Sequence, residues 1–152
     1  MKEHVFRLKK GDDLRLSIEQ YAQQHYIKAA VILSAVGCLS KTVLRNAGAT
    51  KTITLDQDVE IVSATGTISS EESHIHIAVS DQNLKTYGGH LRAGSLVDIT
   101  AEIVLLELQN YTFSRKLDHT GYENLVISLK PRRHTTHPEN QATHIDTPAK
   151  IP

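Results

Sequence analysis

The sequence predicts an α+β domain built on a mostly antiparallel sheet with one main helix. Two observations predict it. A single segment carries a helical period, and many short segments alternate apolar with polar residues between glycines and polar turns. The chain has 152 residues, a length that suits one domain. Hydrophobic residues make up 39% and charged residues 22%, enough apolar content for a buried core.

The elements follow in order. Val5 to Leu8 reads as a first strand, ended by Gly11. Asp12 or Asp13 can cap a helix, because a side-chain oxygen there satisfies a free N–H of the first turn. Leu14, Ile18, Tyr21, Ala22 and His25 recur every three or four residues, so a helix over about 13–25 lays one face on the sheet. Ala30 to Ala35 is a short apolar strand closed by a glycine, and Val43 to Arg45 reads as another. Ile53 to Leu55 and Val59 to Thr67 alternate. Ile75, Ile77 and Val79 alternate with His74, His76, Ala78 and Ser80. Residues 82–87 admit a short second helix. Val97 to Leu108 reads as the longest strand, and Tyr111 to Leu117 and Leu125 to Leu129 finish the domain. From Pro131 the composition turns polar and rich in proline and threonine. The expected organisation is therefore a domain over 1–130 and a flexible polar tail over 131–152.

Seventeen basic and seventeen acidic side chains cancel to a formal net charge of zero. A nucleic-acid binder usually carries a basic excess, so composition alone argues against tight autonomous binding to DNA. Cys38 is the sole cysteine. A reducing, cytoplasmic setting is expected, as is a buried and inert thiol. The N-terminal MKEHVFRLKKGDDL lacks an apolar signal-peptide core, and no apolar run approaches a membrane span, so no membrane partner is expected. Ser34, Ser40 and Ser80 lack a nucleophile-elbow context. Arg7, Lys9, Lys10, Arg45 and Lys51 read as solvated charges. The tail histidines His134, His137 and His144 read the same way.

The stretch from Ser70 to Leu96, SEESHIHIAVSDQNLKTYGGHLRAGSL, carries the chemistry. Residues two apart on a strand share a face, so His74 and His76 point together while Ile75, Ile77 and Val79 point into the core. His90 can add a third nitrogen after the Tyr87-Gly88-Gly89 segment, read as a turn in which glycine permits close backbone approach. Three protein nitrogens with an open fourth position is the pattern of a catalytic zinc site. Imidazole also suits nickel, copper and iron, so ligand type leaves the metal open. An H-x-H pair alone is a weak signal in a chain with nine histidines. Asp98, Thr100 and Glu102 form a second polar stripe. If their strand pairs with the histidine strand, Glu102 can orient a ligand histidine. Asp81 or Glu102 then serves as general base, and Arg92 holds an anionic substrate.

These residues resemble the plants-and-prokaryotes-conserved (PPC) domain family over most of residues 4–130. The matching stretches are RLKKGDDLRLSIEQYA, AAVILSAVGCLSKTVLRNA, VEIVSATGTIS, SHIHIAVSDQNLKTYGGHLRAGSLVDITAEIVLLEL and DHTGYENL. The resemblance implies a PPC-like α+β fold, a homotrimer, and a predicted DNA-binding or regulatory role. It also implies a metal site at His74, His76 and His90 near a subunit boundary. Plant members join the domain to an AT-hook, and the nearest match here, Pro131-Arg132-Arg133-His134, lacks its glycine. The alternative expectation is a metal-dependent enzyme or a small-molecule-binding protein that uses the same three histidines, with zinc as cofactor.

Overall fold

The computed structural model describes residues 1–119 and 121–130. Nine strands and one α-helix follow in the order β1 (Lys2–Lys9), α1 (Leu14–Gln24), β2 (Ala30–Arg45), β3 (Thr52–Leu55), β4 (Val59–Ile68), β5 (Ser73–Ser80), β6 (Thr86–Leu91), β7 (Leu96–Glu107), β8 (Tyr111–Leu117) and β9 (Glu123–Leu129). A short 3-10 turn, Ala47–Ala49, lies between β2 and β3.

The expected α+β class gives way to a sheet-dominated architecture. Strand accounts for 61% of the described residues and helix for 11%. The main helix is present, with Asp13 as its N-cap accepting the Leu16 N–H at 3.0 Å. A second helix over 82–87 is absent. The Asp81 carboxylate instead accepts the N–H groups of Asn83 and Lys85, which makes a turn, and β6 begins at Thr86. Side chain to backbone bonds of this kind compete directly with helix formation. The predicted Tyr87–His90 turn is likewise strand, because β5 and β2 offer β6 a ladder on each side. The separate strands expected at 30–35 and 43–45 are one strand of 16 residues, longer than β7. Polar residues and Gly37 interrupt its apolar run, and register shifts near Ser34, Leu39 and Lys41 let it bend. The tail over 131–152, with its three histidines, lies outside the described residues.

The strand order is β1-β7-β2-β4-β5-β6, and β2 also pairs with β3 and β6. Those pairings link β2, β4, β5 and β6 into a closed ring. Every inter-strand pairing is antiparallel, and β8 and β9 form a separate hairpin. The helix buries Leu14, Ile18 and Ala22 in the same cluster as Ile75, Ile77, Val79, Leu44, Leu91, Ile103 and Leu105. Burying each leucine, isoleucine or valine side chain of that cluster contributes about 1.5–3 kcal/mol. The ring closes tightly: a Cβ on Gly89 would lie 2.8 Å from the Arg45 carbonyl oxygen, which is why glycine stands there. No described helix is long and apolar enough to cross a membrane.

Candidate metal centre and anion pocket

Strand parity places the histidines. Ile75, Ile77 and Val79 are buried on one face of β5, so His74 and His76 take the other. Register then brings His90 of β6 directly opposite His76, and Arg45 of β2 opposite His90. Thr67 of β4 stands opposite His74. Residues paired across an antiparallel ladder share a face, so four strands deliver one polar surface.

The Nε2 atoms of His74 and His76 are 3.2 Å apart. One donor atom from each of His74, His76 and His90 lies within 4.8 Å of the others. A tetrahedral ion with nitrogen ligands at 2.0–2.1 Å sets its donors about 3.3 Å apart. The His74–His76 spacing meets that, and the His90 Nδ1 is buried without a hydrogen-bond partner. The residues present therefore fit a bound cation. Desolvation pushes the His90 imidazole down to about 4, aided by the positive charge of Arg45. His74 is also held below the ordinary histidine value, first by desolvation and then by Arg115. Neutral imidazole is the form that ligates.

A cavity of about 470 Å³ adjoins the cluster. Its walls include His74, His90, Arg45, Arg92, Arg115 and Glu72. The β8–β9 hairpin contributes Arg115 and Tyr122 to Leu125. Arg115 donates from Nη2 to the Thr67 Oγ1 at 2.8 Å, and its Nη1 lies 3.5 Å from His74 Nδ1. Glu72 lies 3.7 Å from Arg15. Desolvation raises the Glu72 carboxyl above its usual range, and hydrogen bonding with Glu123 adds to the rise.

The remaining candidates sit elsewhere. Asp81 and Tyr87 meet at the far end of β5, where the Tyr87 hydroxyl donates to Asp81 at 3.2 Å. Partial desolvation of Asp81 is outweighed by its N–H donors and Tyr87, so its carboxyl lies below the usual range. Gly88 and Gly89 are β6 ladder residues facing Ala78 and Ile77. Arg92 is exposed at the cavity wall. Glu102 lies on β7 opposite Arg7 and Val36, because β7 pairs with β1 and β2 rather than with β5. Cys38 is half-buried in β2 rather than fully buried. Sequence reasoning missed Arg45 and Arg115 as pocket residues. Extending the His90 register across to β2 would have found Arg45, whereas nothing local marks Arg115.

The fold and site define a class: a small antiparallel domain that gathers three histidines on the polar face of a closed ring. The chain belongs to the Plants and Prokaryotes Conserved (PCC) domain family, also written PPC, whose model matches residues 1–109. A hypothetical protein from Salmonella cholerae-suis has a similar structure, with 34% identity and a TM-score of 0.82 over 86% of this chain and 95% of that one. A metal-containing protein from Archaeoglobus fulgidus is 28% identical, with a TM-score of 0.72 over 83% of this chain and 94% of that one. The bifunctional protein GlmU of a Synechococcus strain is 41% identical over 128 residues, which are 84% of this chain and 21% of GlmU. The chain thus spans about a fifth of the curated relatives it matches.

Proposed function

We propose that this PPC-family domain is a metal-dependent small-molecule-binding protein in which His74, His76 and His90 hold one divalent cation, zinc being the ion whose three-nitrogen, open-position pattern they match. The carrying observation is the convergence of three imidazole donors within 4.8 Å. The likeness to the metal-containing Archaeoglobus protein supports it. A bound cation with an open position supplies Lewis acidity to an oxygen donor. The chain's own contribution is to hold neutral imidazoles on three fixed strand positions, beside a cavity of ligand size.

A homotrimer belongs to this reading. Val5, Leu33 and Val36 are exposed on β1 and β2 at 71%, 61% and 58%, an apolar surface suited to subunit contact. A cytoplasmic setting is supported by the half-exposed free thiol of Cys38. A DNA-associated regulatory trimer is the second reading, resting on the family resemblance. Zero formal charge weighs against it. Such binding would fall steeply as salt rises.

The test is elemental analysis of purified, untagged protein alongside native mass. The expected result is near one divalent metal per chain in a trimer, and loss of that metal in the His74→Ala/His76→Ala variant. A folded wild-type chain that retains no metal after incubation with zinc would refute the metal centre.

A further inference from the structure

We infer that the cavity beside His74 and His90 binds a small molecule carrying a phosphate monoester, gripped by Arg45, Arg92 and Arg115. The inference deepens the proposed function and rests on it only for the contribution of the cation.

Three guanidinium groups line one cavity. The ion pairs among the described residues are His4–Glu107, Lys10–Asp98, Arg15–Glu19, Arg15–Glu72 and His119–Asp118. None of the three cavity arginines takes part. The Nε of Arg45 is buried and has no hydrogen-bond partner. A buried donor left without an acceptor is costly, so this wall offers a donor to an acceptor that the described residues of this chain do not supply. Two carboxylates, Glu72 and Glu123, also line the cavity; they share a hydrogen bond, and Glu72 lies 3.7 Å from Arg15.

Arg115 adds a second argument. A cation on His74 Nε2 puts the ring proton on Nδ1, and that N–H then faces the Nη1 of Arg115 across 3.5 Å. Two donors face each other there. An oxyanion between them accepts from both and removes the conflict. The planar fork of arginine matches phosphate oxygens in pairs. Set against Glu72 and Glu123, three guanidinium groups and a divalent cation still leave a positive surplus, which a dianion balances better than a single negative charge. The cavity volume is that of a small-molecule site. Arg115 lies beyond residues 1–109, so the β8–β9 hairpin adds this grip outside the family match.

The test is calorimetric titration of phenylphosphonate and of benzoate into the full chain, metal-free and zinc-loaded. Wild type, Arg92→Gln and Arg115→Lys are compared, with zinc content and Tm measured on each. Arg92 is exposed, so its variant keeps the fold. Phenylphosphonate is expected to bind wild type at least about tenfold more tightly than benzoate, and each variant to lose at least about tenfold with zinc content and Tm unchanged. The inference is overturned by the absence of saturable phosphonate binding, by variants that bind as wild type does, or by benzoate binding as tightly. Zinc retained without phosphonate binding sinks this inference alone. Arginine-dependent phosphonate binding with no zinc retained upholds it and sinks the metal reading.

Discussion

The two faces of β5 use one backbone for opposite ends. Ile75, Ile77 and Val79 are almost fully buried in the core, while His74 and His76, interleaved with them, take the opposite face, His74 at the wall of the polar cavity and His76 exposed beside it. One face holds the domain together through apolar burial, and the other carries the polar residues of the proposed site, whose removal is expected to cost little folding stability. Stability and function are thereby separable by parity alone, and substitutions on alternate residues of eight should behave as two unrelated sets.

The largest effect is expected on the core face. Ile77→Ala should lower unfolding stability by about 2–5 kcal/mol, because it removes buried methylenes and leaves a cavity in a packed interior. Chemical denaturation measures it, and a loss below about 1 kcal/mol would mean that the β5 core is loosely packed. Gly66→Ala should damage both faces. Its new Cβ would press on the His74 carbonyl oxygen and Ile75, so β4 must shift from β5 and carry Thr67 with it. Reduced stability together with reduced zinc affinity is the expected pair, and unchanged zinc affinity would show that the histidines do not depend on that register.

On the polar face, His76→Ala should leave the metal-free stability within about 0.5 kcal/mol of wild type while abolishing tight metal binding. A loss as large as that of Ile77→Ala would contradict the division of faces. The smallest effect concerns pH. Folded His90 titrates near 4, against an ordinary value of 6.5. The folded state thus binds this proton less readily than the unfolded chain. The resulting stability is full above about pH 6.5 and is lost as pH falls towards 4. Denaturation midpoints of metal-free protein at two pH values should differ more for wild type than for His90→Asn; an equal dependence would remove His90 as a contributor.

What could be read in the sequence follows the same division. The helix, its Asp13 cap, and the strands around β1, β4, β5, β7 and β8 were legible because apolar period and turn chemistry are local signals. The pairing of His74 with His76 was legible by parity. Long-range features were not. The continuity of β2 through Gly37 depends on bulges that let a polar stretch stay in the ladder, and the ring closure depends on Leu44 meeting Leu91. The β6 strand looked like a turn because two glycines weaken its intrinsic preference, and its neighbours override that. The overestimate of helix came from Asp81, whose turn satisfies the backbone that a helix would have used. Arg115 reaches the site from a hairpin 41 residues away, a distance at which no periodic pattern speaks.

The most direct test of the central claim is a cobalt(II) titration of metal-free protein, followed by visible absorption. The account predicts a sharp break at one ion per chain, with the intense bands of a tetrahedral site, and their absence in His74→Ala/His76→Ala. Weak, non-saturating absorption that is the same in wild type and variant would contradict it and return the three histidines to the status of a solvated strand face.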